Sequence, residues 1–170
     1  WLVLLEPSAG LLNQFLDALG VARVDLLNDP DTALAAVAAT TVWQNLGIVF
    51  VVTLAAMQSI PPELYESAEV DGHGAWSRLA HVTVPLLGPQ FLFLSVVLTI
   101  NAFQTFGQID LLTEGGPRDA TNVIVYSIVT TLPLDQGAAS AQAVVLFVLI
   151  AALSAVQFRW LDRRVHYGGR

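Results

Sequence analysis

Glu66-Ser67-Ala68, three residues, Gly72, nine residues, Val82-Thr83-Val84-Pro85: this stretch lies between two long uncharged segments, and its reading decides the fold. A polar, acidic, helix-forming loop with a glycine break projects here from apolar helices. Ser59-Ile60-Pro61-Pro62-Glu63 reads as a helix start, because proline suits a first helical turn. Glu63 and Glu66 favour the positive end of the helix dipole. Asp71-Gly72 permits a sharp break, a second short helix is expected over Ala75 to His81, and Pro85 marks the return to the apolar region. Glu63, Glu66 and Glu69 fall at i, i+3 and i+6. Like charges at that spacing cost a few tenths of a kcal/mol in isolation, which a cationic groove on a partner would offset. Such a loop suits docking to a soluble partner better than chemistry of its own.

Working outward, the 170 residues are 55% hydrophobic and 12% charged, against about 25% charged in an ordinary soluble domain. The deficit is concentrated in three long segments, as in membrane proteins. A net charge of −7 argues against a nucleic-acid partner. There is no Cys, so disulfides, thiolate chemistry and Cys-based zinc sites are excluded. There is no Lys, so the chain holds no Gly-x-x-x-x-Gly-Lys phosphate loop. Any ATP used by the system binds another subunit, and no cofactor is expected on this one. The opening Trp1 to Leu5 lacks a basic leader and reads as the tail of an earlier span, so the chain is expected to be a fragment truncated at its N-terminus.

The expected class is all-α, a polytopic helical membrane protein. Full spans are expected over about 33–57, 86–109 and 137–158, since a core of ~30 Å needs about 20 helical residues. The loop occupies 59–85. The apolar stretch 122–134 is only ~20 Å long at 1.5 Å per residue, too short to cross, and is expected as a partial helix on the outer side. Gly10-Leu11-Leu12-Asn13 with Leu16 suggests a short amphipathic helix, and Asn28-Asp29-Pro30-Asp31 is turn chemistry. Arginine placement orients the whole. Arg159, Arg163, Arg164 and Arg170 follow the last span and Arg78 lies in the loop, whereas 6–31 and 110–135 are acidic. The loop and the C-terminus are therefore expected to be cytoplasmic, the protein multi-pass in a cell membrane.

The loop's spacing resembles that of the integral-membrane permease subunits of binding-protein-dependent ABC importers. The family pattern there is Glu-Ala-Ala, three residues, Gly, nine residues, Ile-x-Leu-Pro. Surrounding residues resemble the branch that imports disaccharides and glycerol phosphate: Ile60-Pro61-Pro62-Glu63-Leu64-Tyr65-Glu66, Val70-Asp71-Gly72, Thr83-Val84-Pro85-Leu86-Leu87-Gly88-Pro89, Leu112-Thr113-Glu114-Gly115-Gly116-Pro117 and Gly137-Ala138-Ala139-Ser140-Ala141. The likeness covers nearly the whole chain. Ser67 for Ala, Val82 for Ile, Val84 for Leu and His73-Gly74 depart from the pattern. The resemblance implies an ABC importer type I transmembrane domain with no catalytic residue of its own, paired with a second permease subunit in a homo- or heterodimer. It implies two ATPase subunits gripping the loop, and an extracytoplasmic solute-binding protein delivering a carbohydrate. Glu63, Glu66, Ser67, Ala68, Asp71, Gly72 and Pro85 are the implied coupling residues. Ser67 and Ala68 are small, so a partner's surface can come close.

Asn101, Phe103, Gln104, Phe106 and Gln108 cluster at the far end of the second apolar stretch. Rings stack on apolar sugar faces and amides bond hydroxyls, so Asn101, Phe103, Gln104 and Gln108 are candidates for a substrate path. The alternative is helix–helix hydrogen bonding, worth about 0.6 kcal/mol each. Gln44 and Asn45 stand in the same position. His73, His81 and His166 are not expected to form a metal set, and Trp43, Trp76 and Trp160 suit packing or an interface belt. A membrane-embedded enzyme would need carboxylate pairs or histidines at bilayer depth, which the spans lack. An ion-coupled carrier or channel tends to carry ionisable groups mid-span. A permease for an amino acid, a peptide or another solute remains the nearest alternative to a sugar permease.

Overall fold

The computed structural model describes residues 1–162; Arg163, Arg164, His166 and Arg170 lie outside the described residues. Among the described residues the secondary structure is helical throughout. The helices are α1 (Leu2–Leu5), α2 (Leu11–Ala18), α3 (Ala33–Gln58), α4 (Pro62–Val70), α5 (Ala75–Leu86), α6 (Gly88–Phe103), α7 (Gly107–Leu112), α8 (Ile124–Thr131) and α9 (Gln136–Asp162). The chain divides into two compact units, one of Trp1–Gln44 with Asn101–Leu149 and one of Asn45–Ile100 with the residues from Ile150.

Helices α3 and α9 are long and apolar enough to cross a membrane, with mean hydropathy 1.6 and 2.3. Only 11% and 6% of their most apolar windows are buried within the chain. Val42, Leu46, Phe50 and Val51 on α3, and Val144, Phe147 and Val148 on α9, face outward. Surfaces of this kind are stable only against lipid or neighbouring apolar helices. Asp135 opens α9 by accepting the Ala138 N–H on its side chain at 2.9 Å, a standard N-terminal cap.

The second apolar stretch differs from the single helix expected over 86–109. It is helical over Gly88–Phe103, interrupted at 104–106, and helical again over Gly107–Leu112. An uncharged window conceals this break. Thr105 Oγ1 donates to the Asn101 carbonyl at 3.2 Å and the Gln104 N–H turns back to the same carbonyl at 3.1 Å, so side chain and tightened turn divert the ladder. Helix α6 also bends by 63° from α5 at Leu87; the pair counts as one further span only if taken together. The partial helix is shorter than the expected 122–134, and covers Ile124–Thr131.

In the first unit the small core comprises Leu5, Leu27 and Ala36, with Leu12, Leu26 and Leu112 packed on it. Asn13 is 2% exposed and ties down this region. Its amide donates to the carbonyls of Pro7 and Val24 and accepts the Val24 N–H, each at 2.9 Å. A Cβ on Gly10 would lie 2.2 Å from the Glu6 carbonyl oxygen, so only glycine lets α2 start there. Helix α2 ends at Gly20, φ +72°, with the Val21 N–H on the Leu16 carbonyl and the Gly20 N–H on the Asp17 carbonyl, the hydrogen-bond pattern of a Schellman stop. Beyond it, the Arg23 guanidinium grips Asp17 at 2.7 Å and holds its carboxyl below the usual carboxylate range.

The loop 113–121 is also firmly built. Thr121 is fully buried, its hydroxyl 2.7 Å from the Gly116 carbonyl and 2.7 Å from the Thr113 hydroxyl. Glu114, Gly115, Arg118 and Asp119 have φ between +49° and +82°. A Cβ on Gly115 would lie 2.6 Å from the Tyr126 ring, and that ring stacks on Phe106 at 5.7 Å. Gly115→Ala is therefore expected to destabilise by about 1–3 kcal/mol through left-handed strain and ring displacement. Thermal denaturation in detergent checks this. In a double-mutant cycle Tyr126→Ala should recover the overlap but not the backbone cost, and additive effects would refute the contact.

Candidate functional site

The polar stretch folds as a helical hairpin within the second unit. Pro62 sits in the first turn of α4, with Glu63 beside it. The helix stops where the sequence pattern places its glycine. Gly72 has φ +82°, its N–H bonds the Glu69 carbonyl at 3.0 Å, and the His73 N–H bonds the Ala68 carbonyl at 2.9 Å. This is a complete Schellman motif with glycine at the left-handed position. Helix α5 runs past the expected end at His81 to Leu86, with a π-helical turn over Leu79–Thr83. Pro85 explains the widening, since a proline ring collides with the carbonyl four residues earlier, here that of His81.

Two contacts hold the hairpin closed, and a cluster of His73, Ser77 and His81 braces the start of its second helix. The Tyr65 and Thr83 hydroxyls hydrogen-bond at 3.0 Å, with Thr83 4% exposed. Arg78 pairs with Glu69 at 2.8 Å. His73 Nδ1 lies 2.7 Å from Ser77 Oγ, His81 Nδ1 lies 3.0 Å from the Ser77 carbonyl, and the two imidazoles stand 5.8 Å apart. A groove of about 410 Å³ runs between the helices, its walls including Ser67, Ala68, Asp71, His81, Val82 and Pro85.

The coupling candidates therefore share one hairpin but not one direction. Glu63, Glu66, Ser67, Asp71, Gly72 and Pro85 are exposed. Ala68 is 7% exposed, so its small size serves packing between α4 and α5 rather than an outside surface. Glu69 is engaged by Arg78, which offsets part of the acidic stripe. Glu63, Glu66 and Asp71 form no ion pair among the described residues.

The substrate-path candidates, all in the first unit, fall around the break after α6. Asn101 and Phe103 occupy its last turn, Gln104 the break, and Gln108 the first turn of α7. They do not share one cavity. Phe103 lines a cavity of about 380 Å³ with Ala102, Asn122, Val123 and Ile124. Gln108 hydrogen-bonds Gln44, and the two line a cavity of about 580 Å³ beside Trp1, Thr40 and Trp43. Trp1 and Trp43 meet edge to face at 5.3 Å.

Apolar helices of membrane-crossing length and a polar helical hairpin define a polytopic helical membrane protein. The family described as the binding-protein-dependent transport system inner membrane component matches residues 3–167, and the chain belongs to it. Among curated relatives, the sn-glycerol-3-phosphate transport system permease protein UgpA of Agrobacterium fabrum is 39% identical over 99% of this chain and 58% of its own length. UgpA of Brucella abortus is 38% identical over 98% of this chain and 58% of its own length. A solved bacterial ABC transporter involved in the import of the acidic polysaccharide alginate superposes with TM-score 0.80 at 30% identity, covering 95% of this chain and 58% of that one. The bacterial alginate ABC transporter in complex with an alginate pentasaccharide-bound periplasmic protein gives 0.74 at 30% identity, covering 95% of this chain and 56% of that one. The chain thus spans less than two thirds of the relatives it matches.

Proposed function

We propose that this chain is part of the membrane-embedded permease of an ATP-driven, binding-protein-dependent carbohydrate importer, and that the 59–85 hairpin couples it to the ATPase. The chain itself performs no catalysis and carries no cofactor; ATP is bound and hydrolysed by two partner subunits. A second permease subunit completes the pathway, and an extracytoplasmic binding protein delivers the solute. The observation that carries this reading is the hairpin: a glycine-stopped pair of helices presenting Glu63, Glu66, Ser67 and Asp71, internally braced and set between apolar helices. Sequence kinship to a glycerol-phosphate permease and structural kinship to an alginate ABC transporter support the importer class and the carbohydrate substrate. Gly72 and Pro85 set the shape of the coupling element, Ala68 and Tyr65 its rigidity. Asn101, Phe103, Gln104 and Gln108 are read as pathway residues.

The arginines at 78 and 159 support a cytoplasmic hairpin and a cytoplasmic end of α9. Because the chain lacks cysteine, Ser67→Cys gives a single reporter in it. In intact cells a membrane-impermeant maleimide is expected to leave it unlabelled, whereas inverted vesicles should label it. Labelling from outside would overturn the orientation. Uptake that persists after deletion of the partner ATPase would overturn the coupling.

A further inference from the structure

Two cavities beside α8 share a wall, and neither belongs to the hairpin. One, of about 440 Å³, is lined by Asn122, Ile124, Ser127, Ala141, Gln142 and Val145. The other, of about 380 Å³, adds Ala102, Phe103 and Val123 and shares Asn122 and Ile124. The two make one furrow with an aromatic ring at one end and amides and a hydroxyl along it. Gln142 Oε1 is buried without a hydrogen-bond partner. A buried amide oxygen left unpaired is costly, so this atom calls for a donor that a ligand in the furrow would bring.

The polar groups of the lining are neutral. No basic side chain lines either cavity, and Arg118 of the adjoining loop is absent from both walls. Asp119 stands beside the lining residue Asn122, its carboxylate accepting from the Asn122 amide at 3.4 Å. An anionic solute would meet no counter-charge here and one repelling group. Hydroxyls of a neutral sugar, in contrast, both donate to Gln142 Oε1 and accept from amides, while Phe103 takes an apolar ring face.

We propose that this furrow is a solute-binding segment of the pathway, in which Gln142, Asn122 and Ser127 engage the hydroxyls of a neutral saccharide rather than an acidic one. This rests on the permease reading above and adds to it the charge class of the solute.

The test uses the full-length chain assembled with its partner subunits in proteoliposomes. With any cysteine outside these 170 residues first replaced by serine, Gln142→Cys, and Ser127→Cys as a second site, introduce single thiols. Small water-soluble thiosulfonates, one cationic and one anionic, should modify either site about tenfold faster than Phe147→Cys on the outward apolar face of α9, because charged reagents avoid apolar surroundings. A mixture of glucose, maltose, sucrose and raffinose at millimolar concentration should slow modification severalfold, and sn-glycerol 3-phosphate should not. Gln142→Leu should lower uptake of the protecting saccharide about tenfold, the worth of a lost hydrogen bond or two. Absence of modification at both sites in an assembled transporter would mean that protein or lipid covers the furrow, and would overturn the proposal. So would modification without saccharide protection, or protection by sn-glycerol 3-phosphate. In each of those cases ATP-driven uptake by the parent transporter persists, which separates this failure from failure of the permease reading.

Discussion

Glu66→Lys is expected to abolish ATP-driven uptake while the chain still inserts and accumulates in the membrane. Glu66 is exposed on α4 and forms no ion pair among the described residues. Lysine is as good a helix former as glutamate, so the hairpin should lose only a few tenths of a kcal/mol. A charge engaged by a partner is different. Removing one member of a desolvated charge pair costs about 2–5 kcal/mol, a loss of roughly 30-fold or more, and reversal adds repulsion. Gly72 separates docking from strain. Its Cβ position is open, with nothing within 4 Å, so a substitution there meets only the left-handed backbone penalty. Aspartate tolerates that conformation better than alanine. If strain alone matters, Gly72→Ala will be the worse variant; if a partner presses on the turn, Gly72→Asp will be. Co-purification of the ATPase with each variant, measured beside uptake, decides the matter. Wild-type uptake and co-purification in both Glu66→Lys and Gly72→Asp would remove the docking assignment.

The largest expected effect on folding lies at Asn13. Asn13→Leu keeps the volume and strands the Pro7 carbonyl and both backbone groups of Val24. Each stranded group costs about 1–3 kcal/mol when water is excluded. Val24 is partly exposed, so a total of about 2–4 kcal/mol is expected. Asn13→Asp should be worse. It retains an acceptor for the Val24 N–H but turns a carboxylate towards two carbonyl oxygens. Limited proteolysis across residues 19–32, together with thermal unfolding in detergent, provides the readout. Equal stability of Asn13→Leu and the parent would show that these three hydrogen bonds carry no net weight.

Much of the architecture was legible because membrane helices announce themselves by length. The uncharged runs that became α3 and α9 needed only counting. The same criterion missed the break at 104–106. Hydropathy averages over Asn101, Gln104, Thr105 and Gly107, and these are the residues whose side chains and small size divert a helical ladder. In the hairpin, Gly72 was legible because a left-handed helix stop favours one residue type. Ala68 was not, because smallness suits an outer contact and an inner one equally, and only the packing of α4 on α5 turns it inward. The role of Asn13 depends on partners six and eleven positions away, a distance that no local pattern encodes. The furrow residues were missed for a related reason. Asn122, Ser127 and Gln142 lie on two different helices and a loop, and none stands out within its own segment. The run of small residues before Gln142 was the one available hint that α9 leaves room there.

The corner at Leu87 has a mechanical meaning. Helix α5 is about 18 Å long at 1.5 Å per residue, and it joins α6 at an elbow of 63° whose vertex, Leu87, is only 4% exposed; taken as a rigid pair, the two arms move as a lever. A tilt of roughly 10° about that vertex carries the far tip of α5 through about 3 Å, while the arm beyond it turns by the same angle. The ratio of the two displacements depends on arm length alone. Lengthening α5 by one helical turn would therefore alter the angle through which a given displacement of its tip turns the apolar arm.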